Sequence, residues 1–211
     1  MEIIMNKIYG KAISEIFNLK KRKRVGWMLP GRNLEECQVE SVADHTWGVC
    51  MVAEIFLPST KEEMIKIEGE EPGIEEYDKE KILRMLLVHD LSEAYTGDIA
   101  LGYKTDNDRK KEEDRMAYYA TLAQLSPFEN LGEIYKRWEE YEERKQYNAK
   151  LAKDIDQLEC YIQLFMYKEL LISKNGIQEW TKIEEGWFEN LKLKTKFGVW
   201  LCNFIKENFH E

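Results

Sequence analysis

Histidine is scarce in this 211-residue chain: only His45, His89 and His210 occur. The four cysteines, Cys37, Cys50, Cys160 and Cys202, form no CxxC pair and no metal-ligand spacing. That excludes zinc ribbons and dithiol redox motifs and leaves free thiols in a chain long enough to pack its own core. No apolar run approaches the roughly 18 residues that a membrane span needs. The N-terminus, MEIIMNKIYGKAISEIF, lacks the charged, apolar and small-residue sections of a secretory signal. A cytoplasmic protein without membrane contact is the expectation. Basic charge is in deficit, with 31 Lys and Arg against 40 Asp and Glu and a net charge of −9, which argues against a nucleic-acid partner. No segment alternates with period two over a strand's length, and no repeat of about 20–50 residues recurs.

Helical period is what the sequence does contain. Ile4, Ile8, Ala12, Ile16 and Leu19 recur at steps of three and four, so a first helix carries one apolar stripe. The basic cluster Lys20 to Arg24 suits its C-terminal end. A linker broken by Gly26, Pro30 and Gly31 follows. Ser41 is placed to cap a helix that Pro58 closes. Residues 60–78 carry eight acidic side chains around Pro72 and Gly73 and read as a solvated, mobile insertion. Helices are expected from Lys79 to Asp90, over 106–125, from Pro127 towards Tyr147 and from Ala149 to Leu171. Two amphipathic pieces follow Gly176. The expectation is an all-α fold in a single domain over 1–211, with a core at about 24–170 and C-terminal helices at 176–211.

Chemistry concentrates where charge interrupts apolar helices. His45 sits in VADHTW and the doublet His89-Asp90 in LLVHDLSEAYTGD. A carboxylate beside a histidine on a buried approach costs several kcal/mol unless it is paired or bound to metal, an order-of-magnitude penalty. Glu93 falls one turn after His89, so both can face one cleft. Asp98 follows Gly97, where the backbone can turn sharply. Asp154 and Asp156 interrupt the apolar pattern of LAKDIDQLEC. Two positions on a helix are about 200° apart, so Asp154 is expected to be a surface or supporting carboxylate and not a ligand.

His45, the doublet His89-Asp90 and Asp156, in the contexts ESVADHTWGV, LLVHDLSEAYTGDIA and DIDQLECYIQ, resemble the HD-domain metal-dependent phosphohydrolases, and within them the 5'-deoxynucleotidase-like branch. The resemblance spans roughly Arg24 to Tyr167. It implies a helical HD-domain fold with the metal site between core helices. His45, His89, Asp90 and Asp156 would hold one divalent ion (Mn, Co, Fe, Ni, Zn or Mg), a donor set suited to a borderline ion. It implies Glu93 as the catalytic carboxylate and Asp98 as a partner that contacts substrate or donates a proton. Arg24 and Trp27 resemble the phosphate- and sugar-contacting segment. Pro30-Gly31 departs from the usual spacing there, so Arg32 competes with Arg24 for phosphate.

The implied reaction removes the 5'-phosphate from (deoxy)nucleoside monophosphates by attack of a metal-bound water. The alternatives are an HD-type triphosphate or cyclic-phosphodiester hydrolase, and a non-catalytic metal- and nucleotide-binding regulator. The resemblance also implies a homodimer. The aromatic-rich tail from Trp180 to Phe209 suits either that interface or ordinary core packing.

Overall fold

The computed structural model describes residues 2–100, 102–124 and 133–209. Among them the regular structure is helical, and the one β-contact is an isolated bridge between Lys23 and Ser41. The helices are α1 (Glu2–Ile16), α2 (Val42–Phe56), α3 (Lys61–Glu68), α4 (Lys79–Val88), α5 (Glu93–Thr96), α6 (Asp106–Gln124), α7 (Ile134–Glu143), α8 (Tyr147–Met166), α9 (Lys168–Asn175), α10 (Ile177–Asn190) and α11 (Lys196–Asn208). Short 3-10 turns, Val25–Met28 among them, fill the linker before α2.

Local chemistry explains the boundaries near the site. Ser41 Oγ accepts from Asp44 N at 3.1 Å while Ser41 N donates to Asp44 Oδ2 at 2.8 Å, a reciprocal cap on α2. Asp78 caps α4 by accepting from Lys81 N at 2.9 Å. Helices α2 and α4 run antiparallel. Lys79 Nζ donates to the Glu54 carbonyl at one end, and the His45 and His89 rings lie 5.4 Å apart at the other. Helix α8 packs across both and forms the spine of the core: Leu151, Ile155 and Leu158 are fully buried. Truncating any one of them to Ala would cost about 2–5 kcal/mol. A smaller cluster, Leu91, Met116, Tyr119 and Trp138, receives Ile16 and Leu19 from the N-terminal stripe.

Three expectations need correction. Residues 60–78 are no solvated insertion, because Met64, Ile74 and Tyr77 are buried in the main core. Glu68, inside that acidic stretch, accepts from Lys196 N at 3.0 Å and Phe197 N at 2.8 Å and so holds the start of α11. Asp154 is not at the surface. It is fully buried and accepts from Lys194 N at 2.9 Å and Thr195 N at 2.8 Å, at the same helix terminus. The helix expected over Ala149 to Leu171 breaks at Tyr167, whose backbone (φ −93°, ψ 2°) ends α8. The break accompanies the anchoring of the Tyr167 side chain. Its ring meets Trp27 edge-on at 5.1 Å and its hydroxyl accepts from Glu40 N at 2.8 Å. Helix α6 agrees with the expectation over 106–125, while Pro127 and His210 lie outside the described residues.

In the tail, Trp180 is buried and Trp187 stacks on Trp27 at 5.0 Å, which is core packing. Trp200 and Phe204 stack on each other and stay partly exposed.

Candidate metal centre

The end of α4, the first turns of α2 and the middle of α8 bring His45, His89, Asp90 and Asp156 into one buried cluster. His45 is fully buried on α2. Its Nδ1 meets Glu159 Oε2 at 2.6 Å and its Nε2 meets Asp156 Oδ1 at 3.0 Å. Asp156 and Glu159 stand three residues apart on α8, so both face α2. Gly48 makes their approach possible: a Cβ there would lie 2.4 Å from Glu159 Oε1.

His89 follows α4 directly. Its Nδ1 lies 2.6 Å from the Leu86 carbonyl, an acceptor only, so Nδ1 carries the hydrogen. That orients Nε2 into the cluster, 3.1 Å from Asp90 Oδ2 and 3.8 Å from Asp156 Oδ1. Nε2 is buried and makes no hydrogen bond. An imidazole nitrogen facing two carboxylates requires a positive centre between them, either a proton or a metal ion. Second partners such as the Leu86 carbonyl and Glu159 are those that fix metal-binding imidazoles in register. His45, His89 and Asp90 have donor atoms all within 4.8 Å of one another. Asp156 adds Oδ1 at the distances given above, and the resulting pair of nitrogens and pair of carboxylates fits a divalent transition ion.

Electrostatics follow from crowding. Burial raises the Asp90 carboxyl, but the His89, Arg24 and His45 charges outweigh it and hold the group well below the usual carboxylate range. Asp156 is likewise raised by burial and held low by Lys153 and the two imidazoles. Its Oδ2 accepts from Tyr141 Oη at 2.8 Å and Lys153 Nζ at 2.5 Å, which turns Oδ1 towards the histidines. Glu93, at the start of α5, behaves oppositely. Burial and the neighbouring Asp90 and Asp98 push its carboxyl well above the ordinary value, and its Oε2 is buried without a hydrogen bond.

Arg24 reaches this cluster and Arg32 does not form part of it. Arg24 Nη1 donates to Asp98 Oδ1 at 3.1 Å and Asp90 Oδ2 at 3.3 Å, and Nη2 lies 3.6 Å from Cys160 Sγ. Arg32 donates to the Gly26 carbonyl at 2.6 Å and lies over the Trp187 ring. Asp98 Oδ2 also accepts from Val25 N at 2.5 Å, so it clamps the Arg24–Val25 backbone. Trp27 is placed in the core, 3% exposed, with its indole N–H donating to Glu40 Oε1 at 3.0 Å.

Sequence reasoning missed Gly48, Tyr141, Lys153, Glu159 and Cys160. Lys153 and Glu159 flank Asp156 at three-residue spacing, a signal that was available. Tyr141 comes from α7 and carries no local signal.

Similarity to known proteins gives the family. The sequence pattern of the HD domain matches residues 16–185. The chain is 31% identical over 174 residues to the 5'-deoxynucleotidase HDDC2 of Mus musculus, covering 82% of this chain and 76% of that protein. The 5'-deoxynucleotidase HDDC2 of Dictyostelium discoideum is 35% identical over 163 residues, 77% of this chain and 75% of that one. A crystal structure of a protein from Pyrococcus horikoshii superposes with a TM-score of 0.60 at 28% identity, covering 93% of this chain and 98% of that one. Motif, cluster geometry and both kinds of similarity converge, and the chain belongs to the HD domain family.

Proposed function

We propose that this protein is a metal-dependent phosphoric monoester hydrolase that removes the 5'-phosphate from deoxynucleoside monophosphates. One observation carries the reading: the buried, orphaned His89 Nε2 lies 3.1 Å from Asp90 Oδ2, and a second buried, orphaned atom, Glu93 Oε2, belongs to the residue whose backbone N–H bonds the Asp90 carbonyl. A purely structural metal site would need only the four ligands. The relatives named 5'-deoxynucleotidase, similar over most of both chains, support the substrate class.

In this reading His45, His89, Asp90 and Asp156 hold one divalent ion. Such an ion, when bound, acidifies water and polarises a phosphoryl oxygen. Glu93 orients the attacking water and takes its proton, a role that suits a buried carboxyl whose basicity is raised by burial and by the neighbouring Asp90. The water oxygen bonds to phosphorus as the bond from phosphorus to the 5'-oxygen breaks, and the proton passes to that leaving oxygen. Arg24 offers charge to the phosphate. Asp98 accepts from both Arg24 and Val25 N, so its part is to set the Arg24 turn at the mouth of the site. Trp27 belongs to the same turn, its backbone N–H donating to the Arg24 carbonyl at 3.2 Å. A homodimer and a cytoplasmic location complete the proposal, and sedimentation tests the first.

The deciding experiment measures phosphate release from deoxy- and ribonucleoside mono- and triphosphates by metal-stripped protein with Mn, Co or Mg restored. Metal-dependent release from 5'-deoxymonophosphates is the expected result. Pyrophosphate or triphosphate as the product would transfer the protein to the triphosphohydrolase class. No release from any nucleotide by metal-loaded protein would overturn the enzymatic reading.

A further inference from the structure

Cys160 brings a sulfur to a cluster otherwise made of nitrogen and oxygen donors. It stands one turn after Asp156 on α8 and so shares the face that carries Asp156 and Glu159 towards α2. One nitrogen of His45, one oxygen of Glu159 and Cys160 Sγ lie within 4.8 Å of one another. His45 and Glu159 are buried, whereas Cys160 is only half-buried. Among the described residues, Cys37, Cys50 and Cys202 belong to no such group of three donors.

This second set differs in chemistry from the first. His45, His89, Asp90 and Asp156 offer nitrogen and oxygen alone, whereas a thiolate is a soft donor that favours zinc or cadmium over manganese or magnesium. The Glu159 carboxylate and the Cys160 thiolate together balance the charge of a divalent ion. Arg24 Nη2 lies 3.6 Å from Sγ, but Nη1 keeps Asp98 and Asp90 as partners if the sulfur turns to a metal. Tetrahedral zinc spaces its donors by roughly 3.5 Å, so closing this set takes side-chain shifts of about 1 Å.

We propose that His45, Glu159 and Cys160 form a second metal-binding set, selective for a thiophilic divalent ion such as zinc or cadmium, whose occupancy shuts off the first. The thiol proton leaves to solvent as the sulfur–metal bond forms. Exclusion follows from sharing. His45 is a donor of the first set, and Glu159 is the carboxylate that holds its ring in register there, so an ion that draws on both undoes the first arrangement. The binding set stands independently of the reaction proposed above, whereas the inhibition rests on that reading.

The test titrates metal-stripped wild type and Cys160→Ser with cadmium and, separately, with manganese, following the ultraviolet absorption of sulfur-to-metal charge transfer. The wild type should gain this band with cadmium and not with manganese. Cys160→Ser keeps the other three thiols and should show no band. Cadmium should also protect Cys160 of the wild type from alkylation by iodoacetamide, read by mass spectrometry of its peptide, which decides the matter even if the variant fails to fold. In turnover of a deoxynucleoside monophosphate with manganese, the wild type should be inhibited at cadmium concentrations about tenfold below those that inhibit Cys160→Ser, since losing a direct ligand costs at least as much affinity as losing an outer partner. A band that persists in Cys160→Ser, or the absence of either the band or the protection in the wild type, would overturn the set. Equal inhibition of the two proteins would overturn its hold on the first centre. If the wild type hydrolyses no monophosphate, the functional reading fails, while absorption and alkylation still decide the set.

Discussion

Gly48 and Glu159 occupy one space. A Cβ at residue 48 would stand 2.4 Å from Glu159 Oε1, and Glu159 is the carboxylate that holds His45 Nδ1 at 2.6 Å. A glycine one turn beyond a histidine therefore sets how that histidine is oriented, although the residue itself touches no ligand position.

Gly48→Ala should thus damage metal binding more than folding. Displacing Glu159 removes the outer partner of one ligand, which typically weakens metal affinity about 10–100-fold. Metal titration of the variant checks this, with circular dichroism expected to report an intact helical fold. Unchanged metal affinity would dissociate Glu159 from the centre.

Glu93→Gln should abolish turnover while leaving the metal in place. Loss of a general base costs about 10²–10⁴ in rate. Elemental analysis of the purified variant should give the wild-type metal content. Loss of metal together with activity would make Glu93 a ligand.

Removing the metal should itself destabilise the fold, because an ion that binds the assembled cluster and not the unfolded chain adds its binding free energy to stability. A ligand present at a hundred times its Kd stabilises by about 2.7 kcal/mol. Thermal melts with chelator, and then with Mn restored, should show a reversible drop in Tm. An identical Tm in both states would rule out linkage between the centre and the fold.

Glu40 should make stability fall as pH rises. Burial, with Glu159 adding to it, pushes its carboxyl from 4.5 up to about 7. The folded state therefore keeps a proton that the unfolded chain has released. Its contribution is fully present below about pH 4.5 and is lost as pH climbs through about 7, by at most about 3 kcal/mol. Glu40→Gln retains an acceptor for the Trp27 N–H and removes the titration. Denaturant melts at pH 5 and pH 8 should then show a smaller difference in the variant than in the wild type. Equal differences would remove Glu40 from the account.

Gly198→Ala should loosen the tail. The new Cβ would meet Asp154 Oδ2 at 2.5 Å, and that oxygen accepts from Thr195 N and Thr195 Oγ1 at the start of α11. Leaving such buried donors unsatisfied costs about 1–3 kcal/mol. A lowered denaturation midpoint with metal content preserved is the expected pattern, and an unchanged midpoint would contradict it.

The positions of α1, α2, α4 and α6, the cap at Ser41 and the identity of the polar interruptions were legible because they depend on neighbours three or four residues away. His45, His89, Asp90 and Asp156 stood out as charges on apolar faces, and their HD-like contexts supplied the expectation that the structure then brought together. The acidic stretch at 60–78 misled because charge count hides Met64, Ile74 and Tyr77, the residues that anchor it. For Asp154 the surface alternative failed because helical angle says which way a side chain points, not what packs there. Its surroundings are supplied by α11, far along the chain.

The sequence by itself determined the helical class and the donor types of the candidate centre, since period and residue chemistry are written locally. Only the tertiary structure decided that Arg24 rather than Arg32 meets Asp90 and Asp98, that Trp27 sits in the core, and that Tyr141 and Lys153 aim Asp156 at the histidines. Each of those outcomes depends on which distant helices pack together, and that is set by the burial of the whole apolar surface, not by any short motif.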